Sequence, residues 1–193
     1  LSTQVYRLTL LLYDKAIAIV RRIFLIGFMG SGKSYTGQKL ARLLDLPFID
    51  LDEYIEQQAG QSISRLFETE GEHAFRKRER DALQEMKHYK AAVIACGGGT
   101  PCFGNNMSWM NQNGLTVYLK APVELLLRRL ERETAHRPLL EGLDREELRQ
   151  FIRQRLRQRA PYYEQASVVF EQQSGRESIA EELVRHLEDI IGH

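Results

Sequence analysis

The sequence predicts a three-layer α/β fold, a parallel sheet of about five strands flanked by helices, with a mobile lid. Three observations carry this. Short apolar runs of strand length alternate with helical patterns. The first run passes through a glycine turn directly into a helix, and no Pro/Gly/Ser linker, repeat or low-complexity tract divides the chain after its first twenty residues. Such alternation implies right-handed crossovers, and ligands bound beyond the carboxyl ends of the strands.

In order, residues 22–26 form a β-branched and aromatic run ending at Gly27, and residues 33–44 place Leu40, Leu43 and Leu44 on one helical face. Residues 47–50 read as a second buried strand. Helices are expected over 51–59, 63–70 and 72–88, separated at Gly60 and Gly71. Residues 91–95 and 115–119 are of strand length, with a helix over 105–113 between them. Helices over 123–130, 144–159 and 177–191 and a last strand over 168–170 complete the order, with Arg159 ending a very basic helix ahead of Pro161.

A chain of 193 residues, 43% hydrophobic and 27% charged, suits one domain with one core. Its formal charge of +1 gives no field that argues for nucleic acid or membrane, and a monomer is expected. Cys96 and Cys102 flank a glycine run without zinc spacing or a disulfide framework, which favours a reducing, cytoplasmic setting in which both are small apolar residues. The apolar stretch 8–20 is interrupted by Asp14 and Lys15 and is too short to span a bilayer; Arg21 and Arg22 follow it, where a secretory signal has its basic residues in front. Residues 1–20 therefore read as an extension to a domain spanning 21–193.

After the first strand comes Gly27-Phe-Met-Gly-Ser-Gly-Lys-Ser34, the G-x-x-x-x-G-K-[ST] pattern. The backbone around Gly30, Ser31 and Gly32 can converge on phosphate oxygens, Lys33 bridges the β and γ groups, and the Ser34 hydroxyl ligates Mg²⁺. This establishes nucleotide binding and leaves the reaction open. The next strand ends in Asp50-Leu-Asp52, whose carboxylates on an extended segment share the crevice side. Asp50 can hold Mg²⁺ through its water shell, and Asp52 can take the proton of an acceptor hydroxyl. Alternatively, Asp52 only caps a helix beginning at Glu53.

Four further segments, Gly71-Glu-His-Ala-Phe-Arg76, Gly97-Gly-Gly99, Arg137-Pro-Leu-Leu140 and Arg159-Ala-Pro-Tyr162, follow. Together with the cradle and Asp50-Leu-Asp52 they resemble the shikimate kinase family over about residues 22–190. The resemblance implies a nucleoside-monophosphate-kinase-like P-loop fold and ATP-dependent phosphorylation of the shikimate 3-hydroxyl, on the chorismate route to aromatic amino acids. It implies that Asp52 binds the acceptor, that Arg76 and Arg159 bind its carboxylate, that Gly97, Gly98 and Gly99 contact it, and that Arg137 reaches the ATP phosphates from the lid.

The residues agree. Three side-chain-free positions follow the third strand, and a planar guanidinium suits bidentate carboxylate binding. Residues 131–145, with Pro138 and Gly142 and little apolar periodicity, suit a lid that excludes water. Read alone, Arg76 in the run 76–80 is a solvated helix face, and Phe67 and Phe75 are either pocket or core residues. Tyr35 stands where the family usually has Thr, leaving the backbone amide as its contact to ATP. The surroundings of the glycine run, Cys96 and residues 101–103, also differ from many members. Rival readings are gluconokinase or a nucleoside-monophosphate kinase, and a non-catalytic nucleotide-binding protein; joint retention of Lys33, Ser34, Asp50, Asp52, Arg76, Arg137 and Arg159 argues against the last.

Overall fold

A computed structural model describes residues 22–132, 140, 142–172 and 179–191. The expected N-terminal extension over residues 1–20, Arg137 and most of the expected lid lie outside the described residues. Strand β1, Arg22–Ile26, is buried on both faces beyond its first residue, as its unbroken apolar sequence requires of a central parallel strand. Helix α1, Lys33–Leu44, leads to β2, Phe48–Asp50. Helices α2, Leu51–Ala59, and α3, Ile63–Glu85, then return the chain to β3, Ala92–Ala95. Helix α4, Asn106–Asn113, precedes β4, Leu115–Lys120. Helices α5, Val123–Leu130, and α6, Arg145–Tyr163, lead to β5, Val168–Glu171, and to α7, Ile179–Ile191.

The five strands lie in the order β2-β3-β1-β4-β5, all pairs parallel. The chain runs from β1 past β3 to β2, then moves back across the sheet, so right-handed crossovers put α1 and α7 on one face and the other helices on the opposite one. The packing agrees. Ile23 and Leu25 meet Leu40, Leu44, Leu183 and Leu187, while Phe24 and Ile26 meet Leu51, Leu66, Leu83 and Met110. A smaller cluster joins Phe28 to Leu127, Leu130, Leu140 and Ile152, seating the base of the expected lid against α5 and α6.

The expected break at Gly71 is a kink within α3, where φ is 80° and ψ 170°. Residues 86–88, expected to continue that helix, form a 3₁₀ turn, and a second 3₁₀ turn, Thr100–Cys102, follows the glycine run. Helix α6 corrects one expectation. It does not end at Arg159 but continues through Pro161 to Tyr163. The amide that Pro161 lacks would have met the carbonyl of Arg157; both residues are exposed, so water can serve that carbonyl and the break is avoided. The extra turn carries Tyr163 into the interior, where its hydroxyl donates to the Gly98 carbonyl.

Candidate active site

Beyond the carboxyl ends of β1, β2 and β3 lies a cavity of about 350 Å³, lined in part by Gly30, Gly32, Lys33, Ser34, Asp50, Asp52, Gly97 and Gly98. The loop after β1 supplies its floor. Helix α1 opens on Gly32, at φ 87°, with no side-chain cap and no acidic residue in its first turn. Its first amides and the positive end of its dipole therefore suit an anion. Lys33 Nζ donates to the carbonyls of Gly27 (2.9 Å) and Phe28 (3.0 Å), which holds its ammonium over the loop. Tyr35 sits at the rim with 65% of its surface exposed and the Lys39 ammonium 4.6 Å from its ring centre.

The two carboxylates reach the cavity for a different reason from the extended one expected. Asp50, not Asp52, is the cap: its Oδ1 accepts the Asp52 amide at 3.1 Å, and α2 begins at Leu51. Asp52 lies in the first helical turn while Leu51 is buried in the core. The other oxygen of Asp50 accepts from the Ser34 hydroxyl at 2.6 Å. A hydroxyl and a carboxylate, both hard oxygen donors beside a phosphate cradle, fit Mg²⁺, which takes few protein ligands alongside phosphates and water.

Asp52 sits among like charges. Burial, chiefly, and then the carboxylates of Asp50 and Glu79 raise its pKa from 3.8 to about 6, against the opposing pull of Lys33. A Cβ on Gly97 would lie 2.8 Å from Asp52 Oδ1, 3.0 Å from Thr100 Oγ1 and 3.2 Å from Glu79 Oε1, so only glycine leaves these oxygens in place. A group bound there meets backbone and carboxylate together.

Two guanidiniums pack against the glycine loop that edges the cavity. Arg159, from α6, donates to the Gly98 carbonyl at 3.2 Å. Arg76, from α3, lies where a Cβ on Gly99 would come within 2.8 Å of its Nη1. Arg76 is no solvated residue: its side chain is 17% exposed and pairs with Glu79 at 2.9 Å and Glu72 at 3.3 Å. Its guanidinium lies 3.9 Å from the ring centre of Phe103, with Phe75 at 5.2 Å and Phe67 at 5.9 Å. Phe67 and Phe75 thus pack on each other and also wall the arginine.

Sequence reasoning missed Glu79, although a signal was present. Phe75, Glu79, Ala82, Leu83 and Met86 share one helical stripe, and all are buried. A carboxylate on that stripe needs partners, and it has them: Arg76, and the Thr100 hydroxyl at 2.6 Å. Thr100 in turn is fixed by Asn106, whose amide donates to its carbonyl at 2.9 Å. Arg129 was also missed. It lines the cavity from the end of α5 and donates to the Gly30 carbonyl at 2.9 Å.

A sequence profile described as shikimate kinase matches residues 29–188. The chain belongs to the shikimate kinase family. Shikimate kinase of Parabacteroides distasonis is 47% identical over 152 residues, covering 79% of this chain and 88% of that relative. Shikimate kinase of Chlorobium chlorochromatii is 42% identical over 172 residues, 86% of this chain and 90% of the relative. Among solved structures, shikimate kinase from Bacteroides thetaiotaomicron superposes with a TM-score of 0.82 at 42% identity, covering 89% of this chain and 98% of its own. Shikimate kinase from Acinetobacter baumannii, solved in complex with shikimate, gives 0.79 at 39% identity, covering 92% and 96%. The parallel sheet flanked by helices is the fold that these solved shikimate kinases share with the chain.

Proposed function

We propose that this chain transfers the γ-phosphate of ATP to the 3-hydroxyl of shikimate, giving shikimate 3-phosphate and ADP on the chorismate route to aromatic amino acids. The observation that carries it is a cavity lined by a phosphate cradle, a half-buried aspartate and the start of a glycine loop, with two arginines packed against that loop at Gly98 and Gly99. The cradle is made for phosphates and the arginine pair for a carboxylate. Asp52 lies between them.

In this reading Asp52 accepts the hydroxyl proton as the oxygen bonds to the γ-phosphorus, and the bond from that phosphorus to the bridging oxygen breaks, leaving its electron pair on ADP. Lys33 offsets charge on the transferring group, and Arg137 adds to it from the lid. The first-turn amides, including that of Tyr35, hold the remaining phosphates. Arg76, Arg159 and Gly97, Gly98 and Gly99 hold the acceptor so that its hydroxyl lies in line, a positioning role that dominates catalysis of this kind. Ser34 and Asp50 would hold Mg²⁺, which would supply neutralisation of phosphate charge.

ADP release coupled to a reporter should depend on shikimate and stay at the no-acceptor blank with gluconate or AMP. Turnover with either of those, and not with shikimate, would overturn the assignment. The two arginines should separate by kinetics and direct binding. Arg159→Ala should weaken shikimate binding ~10-fold or more by removing a charge-assisted partner. Arg137→Ala should instead lower kcat with shikimate affinity preserved. An Arg159→Ala enzyme with unchanged shikimate Kd would remove that residue from the acceptor site.

A further inference from the structure

Gln172, just past β5, is a polar side chain only 4% exposed. Its own amide N–H extends the pairing of β5 with β4, donating to the Lys120 carbonyl at 2.8 Å, so its backbone is fixed. Its side-chain Nε2 donates to the Ser31 carbonyl at 2.9 Å. Its Oε1 accepts from Arg129 Nη1 at 3.2 Å, and the same Nη1 donates to the Gly30 carbonyl at 2.9 Å. One buried amide therefore ties together the phosphate loop, the end of α5 and the end of β5.

These bonds set the direction of the cradle. In a trans peptide the carbonyl and the N–H point opposite ways, and no described peptide is cis. The Ser31 carbonyl is drawn to the buried amide of Gln172, so the N–H of the same peptide, on Gly32, is turned the other way. Gly32 lines the cavity. We infer that Gln172 is a positioning residue for the nucleotide: it latches the Ser31 carbonyl behind the loop, aims the Gly32 amide at a phosphate, and holds Arg129 against the cradle. Gln172 itself meets no substrate. The inference rests on the nucleotide site proposed above and adds a residue that the glycine-lysine pattern does not contain.

The test is ADP titration by calorimetry, beside steady-state kinetics, on Gln172→Leu, which removes both side-chain bonds at similar volume. A misaimed Gly32 amide and a loosened Arg129 guanidinium should raise the Kd for ADP and the KM for ATP ~10-fold, the size expected for bonds involving a charged group. The shikimate Kd and kcat at saturating ATP should stay within about 2-fold, since the acceptor side of the cavity is untouched. Gln172→Glu, which keeps an acceptor for Arg129 but sets a carboxylate oxygen against the Ser31 carbonyl, should weaken ADP at least as much as Gln172→Leu. If Gln172→Leu is insoluble, Gln172→Met gives the same test with the chain length kept. A lower Tm with unchanged ADP affinity would show a merely structural residue and overturn the latch. Equal losses for ADP and shikimate would overturn it as well, whereas failure of the unaltered protein to bind ADP would overturn the nucleotide site and the latch together.

Discussion

Asp52→Asn should lower turnover ~10²–10⁴-fold, the range of a positioned general base, while raising the melting temperature at neutral pH. The two effects have one cause. Burial and two neighbouring carboxylates raise the pKa of Asp52 from 3.8 to about 6, so at pH 7 the carboxylate is charged in both states, freely solvated in the unfolded chain but unfavourably placed in the folded one. Between those two values the folded state binds more protons than the unfolded one. Stability therefore falls as pH rises through this window and stays reduced above it. The loss is at most about 3 kcal/mol, since each tenfold change in proton affinity is worth about 1.4 kcal/mol. Asn removes the charge, so the gain in Tm should be full at pH 7–8 and vanish below about pH 4.

The same titration should give the unaltered enzyme an acidic limb in kcat/KM near pH 6, absent in the variant if chemistry limits the rate. A loose transition state puts less weight on early proton removal, which moves the expected loss toward the lower end of the range. ATP affinity should barely change. Near-normal turnover with shikimate as acceptor would remove Asp52 from the chemistry, whatever happened to Tm.

Most of the sheet was legible because its strands are short apolar runs bounded by glycine or charge, and β1 and α1 fall where the pattern puts them. The phosphate cradle was legible because its chemistry is local: eight consecutive residues bring backbone amides, an ammonium and a hydroxyl together. The pairings between distant segments were not. Arg76 reads as one charge in a basic run until α3 is turned so that Phe75 and Glu79 face inward. Gln172, past the edge strand β5, meets Ser31, past the central strand β1, with β4 between them, and no periodicity announces a partner so far away in sequence. Asp50 and Asp52 show a finer limit. Both face the cavity as expected, yet Asp50 is the cap and Asp52 is helical, because three residues of strand pass into helix without a loop. The run of α6 through Pro161 was hidden for a related reason: the cost of a proline in a helix depends on whether the turn before it can yield and whether water can serve the freed carbonyl, which the fold decides.

Arg76→Ala should damage stability and acceptor binding together, and a second substitution should separate them. The Arg76 guanidinium lies 2.9 Å from Glu79, a carboxylate with 1% of its side chain exposed. Removing one partner of a buried pair typically costs about 3–5 kcal/mol, because the other charge stays buried alone. Shikimate affinity should fall ~10²-fold or more if the same guanidinium is a charge-assisted partner of the substrate carboxylate. On the single variant, weak binding could follow from local unfolding alone. Arg76→Ala combined with Glu79→Gln removes the stranded charge while leaving the Thr100 hydroxyl an acceptor, since that hydroxyl now donates to Glu79 Oε1 at 2.6 Å. The double variant should recover most of the lost Tm, a non-additive result expected of residues in contact. Its shikimate Kd, measured by calorimetry, should stay as weak as in Arg76→Ala. If affinity returned along with stability, Arg76 would be the counter-ion of Glu79 and no more, and the acceptor carboxylate would be left to Arg159.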